Sequence, residues 1–233
     1  MTFRALLVVV ALAIPGAATA QDRTQPRNPP PAQPRPQTTK PRPAPVQEKI
    51  GIRGYAALGS TTLAAKDTFD AVADTHSSST YLGGVEVTHI WKGIFADVAA
   101  TQMTIDGSRV FVNDGQVFNL GIPLQVKLRP LDIVGGWRFR YGRISPYAGA
   151  GITFLKYEET SDFSQSGDDV SESKTGPMFL GGVDVQVWKF IHVGGELRFR
   201  RVNGILGDGG ASAEFDEDDA GGVSFALRIS IGT

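Results

Sequence analysis

From Lys49 onward the chain runs in short stretches that alternate apolar and polar residues. In residues 80–91, Tyr81, Gly83, Val85, Val87, His89 and Trp91 share one face. Leu82, Gly84, Glu86, Thr88 and Ile90 share the other. Residues 191–201 repeat the pattern: Ile191, Val193, Gly195, Leu197 and Phe199 oppose His192, Gly194, Glu196, Arg198 and Arg200. In the final run, Val223, Phe225, Leu227, Ile229 and Ile231 oppose Ser224, Ala226, Arg228 and Ser230. A period of two with β-branched and aromatic residues is the signature of strands. The pattern predicts eight of them, near 49–59, 79–91, 93–105, 117–139, 145–157, 176–188, 190–202 and 221–232. In the long fourth segment, Pro123 and Pro130 cannot donate to a ladder, so a bulge is expected there. Splitting that segment at Pro130 into a ten-strand version is disfavoured, because it moves the long acidic loop 158–175 to the short-turn side.

Short connections around Lys92, Tyr141–Arg143 and Lys189 alternate with longer ones at 60–78, 106–116, 158–175 and 203–220. Short turns on one rim and long loops on the other are the layout of an antiparallel barrel that crosses a membrane. An even strand count places both ends of such a barrel on the short-turn side. Residues 82–92 (LGGVEVTHIWK) and 180–189 (LGGVDVQVWK) echo one another four strands apart, which fits two four-stranded halves.

The polarity of the two faces decides between a soluble and a membrane barrel. A soluble barrel buries its apolar face inside; here the face opposite the apolar one carries Glu86, Asp97, Asp184, Gln186, Glu196, Arg198 and Arg200. Burying those charges in a soluble core is costly unless each is paired. In a membrane barrel the apolar face meets lipid and the charged face fills the lumen. The expected lumen network sets Glu86, Asp184 and Glu196 against Arg53, Arg198 and Arg200. Tyr55, Tyr81, Trp91, Trp137, Phe139, Tyr147, Tyr157, Trp188 and Phe190 lie near predicted strand ends, where interfacial aromatic girdles form.

The N-terminus reads differently. Arg4, the apolar stretch Ala5 to Ile14, and Ala18-Thr19-Ala20 form the pattern of a secretory signal peptide over 1–20. Residues 21–47 hold nine of the chain's fourteen prolines, between Pro26 and Pro45. They lack the apolar side chains for a core, so a disordered, extended linker is expected. Its basic residues Arg27, Arg35, Lys40 and Arg42 suit an arm that touches an anionic cell-wall polymer in the periplasm. The domain expectation is therefore signal peptide 1–20, Pro-rich periplasmic linker 21–47 and barrel 48–233.

Composition narrows the chemistry. There is no cysteine, which excludes disulfides, thiol nucleophiles and Cys-based zinc sites. Mean hydropathy is near zero, and no later segment offers a membrane helix. Net charge is −1 and the glycines are spread through strands, so no nucleic-acid surface or phosphate loop is expected.

The signal peptide, the Trp-Lys hairpins, the stretch Arg143-Ile144-Ser145-Pro146-Tyr147-Ala148-Gly149-Ala150-Gly151 and the final alternating strand together resemble the small outer-membrane β-barrel domain family. The resemblance covers roughly 48–233 and implies a closed antiparallel barrel inserted by the outer-membrane assembly machinery. Gly222, Phe225 and Leu227 fit the spacing of the family's last-strand signal. Ile231-Gly232-Thr233 departs from it, because the family's signal ends in an aromatic.

Eight strands leave an interior that side chains fill, so no wide channel is expected. The loops are acidic: Asp208, Glu214, Asp216, Glu217, Asp218 and Asp219 in one, and Glu158, Glu159, Asp162, Asp168, Asp169 and Glu172 in another. Asp216, Glu217, Asp218 and Asp219 are weak candidates for a divalent cation, since they lack the spacing of a calcium loop. No metal, cofactor or catalytic residue is assigned. His89 and His192 fall near the short-turn rim, and His76 precedes Ser77–Ser79 without the fixed geometry a serine hydrolase needs. The expectation is a non-enzymatic outer-membrane barrel with a structural or interaction role toward lipid, cations or partners. The alternatives are a barrel enzyme acting on lipid and a soluble lipocalin-like carrier.

Overall fold

The computed structural model describes residues 49–113, 116–161, 170–207 and 210–233. The chain divides into two units, Met1–Pro45 and Val46–Thr233. The expected signal peptide and Pro-rich linker lie outside the described residues.

Among the described residues, the second unit forms eight strands and two helices: β1 (Gly51–Leu63), α1 (Lys66–Ala73), β2 (Ser77–Thr88), β3 (Ile94–Asn113), β4 (Gln116–Arg138), β5 (Ile144–Ser161), β6 (Val170–Trp188), β7 (Ile191–Arg200), α2 (Gly210–Glu214) and β8 (Gly222–Gly232). Each strand pairs antiparallel with the next, and β8 closes on β1. The register holds Leu58 opposite both Tyr81 and Leu227. Closure removes the free sheet edges that would otherwise invite aggregation. Turns at 89–93, 139–143 and 189–190 lie on one rim, together with the start of β1 and the end of β8.

The strands outrun their predicted ends. The expected loop 106–116 is mostly ladder, with Asp106 opposite Gln125 and Asn113 opposite Gln116. Likewise Glu158 and Glu159 belong to β5, and Glu172 to β6. Asp162, Asp168 and Asp169 lie outside the described residues. Polarity misled the reading there: with water on both sides of a projecting hairpin, alternation fades although the ladder continues.

The prolines act differently from one another. β4 is one strand of 23 residues, so the chain does not split at Pro130. Pairing with β3 lapses between Ala100↔Leu131 and Met103↔Leu128 but resumes in the same register, while Pro130 stays opposite Leu155 of β5. Pro130 thus makes no bulge; it leaves a gap on one side of the strand. The register shift falls between Ser108 and Val110, beside Pro123, where Gly121 takes a φ of +67°. Only glycine adopts that conformation readily.

Outward positions form an apolar band with a sharp upper limit. On β4 the band runs through Trp137, Gly135, Ile133 and Leu131, then gives way to Arg129, Lys127 and Gln125. On β5 it runs from Ile144 to Phe154 and ends at Lys156 and Glu158. Trp91, Trp137, Phe139, Tyr141, Trp188 and Phe190 crowd the short-turn rim, all exposed. Tyr81 also faces out, whereas Tyr55, Tyr147 and Tyr157 are buried at 7, 4 and 8% exposure. Those three correct the girdle expectation: their strand parity points them inward, and their hydroxyls find polar partners there.

Candidate functional site

The lumen holds the chemistry, and strand parity builds it. Inward positions of β1 carry Arg53, Tyr55 and Thr61; those of β2 carry Leu82, Gly84 and Glu86. β7 contributes His192, Glu196, Arg198 and Arg200, and β8 contributes Ser224, Arg228 and Ser230. Among the described residues, five carboxylates (Glu86, Asp97, Asp132, Asp184, Glu196) and five guanidiniums (Arg53, Arg138, Arg198, Arg200, Arg228) are buried. The interior is charge-balanced, which buried ions require.

The network links opposite walls. Arg138 Nη1 donates to Asp184 Oδ2 at 2.7 Å and Nη2 to Glu86 Oε2 at 2.7 Å. Arg228 donates to the same Glu86 oxygen at 2.9 Å and to Glu196 Oε2 at 3.1 Å. Asp132 receives Arg198 Nη1 at 2.9 Å, with Arg200 Nη2 at 2.6 Å and Nε at 3.0 Å. Arg198 also donates to Glu196 and to the Tyr55 hydroxyl, which in turn donates to Asp97 at 2.8 Å. Such charge-assisted, partly bidentate bonds are the strong class. Arg53 is the outlier, 3.9 Å from Asp184.

The expected six residues therefore share one lumen, and Asp97, Asp132, Arg138 and Arg228 complete the set. Asp132 and Arg138 were missed because β4 follows a proline-broken pattern. Counting parity back from Trp137, an outward residue, places both inward. The two Leu-Gly-Gly segments acquire a reason: Gly84 lies against the Tyr55 ring and Gly182 against the Tyr147 ring. A Cβ at either glycine would stand 2.6 or 2.5 Å from the tyrosine hydroxyl. Arg228 lies over the Tyr55 ring at 3.8 Å, and Arg138 over Tyr147 at 4.1 Å. Gly182→Val is expected to displace Tyr147 and cost about 1–3 kcal/mol by overpacking, measurable as an earlier denaturant midpoint.

Above the charges the lumen becomes apolar, which corrects the expectation of a polar interior throughout. Thr61 bonds Thr80 at 2.6 Å and Ser224 at 2.7 Å, forming a hydroxyl layer. Over it pack Leu63, Met103, Ile105, Leu124, Val126, Leu128, Leu155 and Tyr157, with Phe69 of α1 and Val202, Ile205 and Ala220. α1 was unforeseen inside a segment read as loop; its Phe69 points down into this core at 2% exposure. Its backbone rests on Gly107, where a Cβ would stand 2.4 Å from the Val72 carbonyl oxygen.

The acidic loop residues serve the cap. Glu217 accepts from the amides of Asp67 (3.3 Å) and Thr68 (2.9 Å), closing the N-terminus of α1, whose N-cap residue Ala65 offers no side-chain oxygen. Asp219 accepts from the Val202 and Gly221 amides at 2.7 and 2.8 Å, and Asp218 from Gly204 at 3.2 Å. Three of the four cation candidates are thus turned to backbone N–H groups, and Asp216 sits in a left-handed turn. No group of three or more metal-ligating side chains occurs among the described residues. Glu217→Ala should loosen α1 by about 1 kcal/mol, the usual worth of a helix cap, and limited proteolysis should then cut near 66–73 first.

His76 Nδ1 lies 2.8 Å from Asp70 Oδ1. Ser78 Oγ instead donates to the Thr104 carbonyl at 3.0 Å. Among the described residues, no serine hydroxyl bonds His76. His192 is buried near the short-turn rim, and His89 stands in the turn after β2.

No family model matches the sequence, and no curated protein matches it significantly. Solved structures do. A major outer membrane protein from Thermus thermophilus superposes with a TM-score of 0.51 at 10% identity, covering 80% of this chain and 100% of that one. Neisserial surface protein A gives 0.48 at 12% identity, covering 78% and 96%. Ail, the attachment invasion locus protein of Yersinia pestis, gives 0.45 at 12%, covering 80% and 99%. At these identities the likeness to the Thermus protein establishes the fold, a closed eight-stranded barrel.

Proposed function

We propose that this chain is an integral outer-membrane β-barrel that acts as a closed scaffold and interaction platform, without the lumen of a wide pore. The observation that carries the reading is the inverted polarity of a closed sheet. Leu58, Tyr81, Val98, Ile133, Phe179, Leu197 and Leu227 point outward and are exposed, while five ion pairs' worth of charge points inward. Water on that outer surface would leave an apolar area far above what soluble monomers expose. Lipid removes that cost. The band on β5, Ile144 to Phe154, has the length a tilted strand needs to cross a bilayer, about 9–11 residues. A soluble carrier of the lipocalin type has the opposite arrangement.

The edges of the band fit the same reading. Trp and Tyr residues mark the short-turn rim, where amphipathic rings settle at the head-group level. At the other edge Lys127, Arg129 and Lys156 face outward, with Glu158 accepting from Arg129 (2.9 Å) and Lys156 (2.7 Å). The Lys156 ammonium and Arg129 hold the Glu158 carboxyl below the usual carboxylate range. This cationic collar suits anionic lipid head groups. The even strand count brings both barrel ends to the short-turn rim. With that rim taken as periplasmic, as short turns are in outer-membrane barrels, the N-terminal arm lies in the periplasm and the longer β3–β4 and β5–β6 hairpins lie outside.

The scaffold reading is tested by conductance. The full chain, refolded into planar bilayers, should show no long-lived openings of porin size, because ion pairs, hydroxyls and an apolar core occupy the lumen in sequence. Steady, large unitary currents would contradict it.

A further inference from the structure

The charged lumen ends, at the short-turn mouth, in groups without partners. Arg53 is 3% exposed, yet its Nε and Nη1 make no hydrogen bond. His192 is equally buried and its Nδ1 is unpartnered; beside it the Ser230 hydroxyl also lacks a partner. A buried donor left without a partner is costly, so each of these groups calls for a water or an anion beside it. Other unpartnered atoms, among them Glu86 Oε1, Asp184 Oδ1 and Arg228 Nε, belong to the ion-pair network itself. Arg53 and His192 line one cavity of about 520 Å³ that opens at the rim, together with Lys49, His89, Arg140 and Lys189.

Among the described residues the charged side chains of this cavity are of one sign, with no Asp or Glu; the Thr233 main chain also lines it. Asp184, the nearest carboxylate facing Arg53, lies 3.9 Å away and is already engaged by Arg138 at 2.7 Å. Arg53 completes the five-to-five balance inside, and Lys49, Arg140 and Lys189 add positive charge at the mouth beyond it. A concave site walled by protein and lined by one sign of charge concentrates counter-ions.

We infer that the short-turn mouth of the barrel is a binding site for a small oxyanion, a phosphate or a terminal carboxylate, held by Arg53 and His192 and drawn in by Lys49, Arg140 and Lys189. Arg53 offers two unpartnered donors, Nε–H and Nη1–H, on opposite edges of its planar guanidinium, so an oxyanion takes them as single charge-assisted bonds, not as a fork. His192 offers a third donor in its Nδ1–H tautomer. Arg53 and His192 stand on inward strand positions, so the site faces the lumen and its water, not the lipid wall. A soluble anion, or the carboxylate end of a periplasmic peptide, therefore fits better than a lipid head group. The membrane reading enters only in naming the periplasm as the side this mouth faces.

The test uses the full chain, labelled with ¹⁵N-arginine, in zwitterionic micelles. The Arg53 Nε–H resonance is followed while inorganic phosphate, N-acetylglutamate or dihexanoylphosphatidylglycerol is added. Saturable shifts with phosphate or with N-acetylglutamate are expected, and the stronger of the two identifies the source. Arg53→Gln should weaken binding about tenfold, equivalent to about 1.4 kcal/mol, read by calorimetry. Arg140→Ala combined with Lys189→Ala, both on the exposed rim, should weaken it several-fold, and Lys66→Ala on α1 should leave it unchanged. An unmoved resonance with both soluble anions, or equal affinity in Arg53→Gln, overturns the site. Preferential saturation by the phosphatidylglycerol overturns its assignment to a soluble anion. Unheated-gel mobility of each variant reports whether the barrel still closes, so loss of the barrel is separated from loss of the site.

Discussion

Asp132→Ala is expected to destabilise the barrel by about 3–5 kcal/mol, the cost of removing one partner from a buried ion pair. Asp132 is the shared acceptor for Arg198 and Arg200, three of whose N–H groups reach it at 2.6 to 3.0 Å. Without it two guanidiniums stay buried, and the five-to-five balance becomes five cations against four anions. Urea unfolding of the refolded protein should show the loss as an earlier midpoint. Pairing the change with Arg200→Met should restore part of the stability, since an apolar replacement removes an uncompensated charge. If Asp132→Ala unfolds like the parent, the network is ornamental and the lumen is hydrated.

Leu227→Arg is expected to cost about 2–4 kcal/mol in a bilayer, the penalty for a cation near the midplane of a barrel's lipid face. Leu227 is the central outward residue of β8 and is 63% exposed. In a water-soluble protein, a polar replacement at so exposed a position stays within about 0.5 kcal/mol. The two environments therefore predict different outcomes for one substitution. Reversible unfolding from vesicles gives the number. A change inside the soluble range would mean that this face does not meet lipid.

The fold was legible because two constraints act on every strand at once. Period-two alternation located β2, β7 and β8 within a few residues, and the face that alternation put inward on β7, with Glu196, Arg198 and Arg200, is the face the structure buries. Closure then followed from the strand count and the alternation of short and long connections. Signals failed where one constraint lapsed. In the β3–β4 hairpin beyond the apolar band, both faces meet water and the pattern no longer distinguishes strand from loop. Along β4, Pro123 and Pro130 hid the parity that brings Asp132 and Arg138 into the lumen.

Tertiary context explains the remaining differences. α1 has eight residues and no side chain of its own to cap its start. It is held by Glu217, 149 residues away along the chain from Thr68, and by Phe69 packed into the lumen top. Nothing local announces such a helix. Glu217, Asp218 and Asp219 looked available for a cation because the backbone N–H groups that donate to them are invisible in sequence. The tyrosines read as interfacial show the same limit: a ring near a strand end is a girdle residue or a lumen residue according to a single step of register.

The central claim is a closed barrel turned inside out relative to a soluble one and seated in the outer membrane. Expression of the full chain in a Gram-negative host, envelope fractionation, and electrophoresis of unheated and boiled samples test it most directly. The account predicts recovery in the outer-membrane fraction, with faster migration before boiling than after, because a closed β-barrel resists detergent until heated. Recovery as a soluble periplasmic protein, with one mobility before and after boiling, would contradict it.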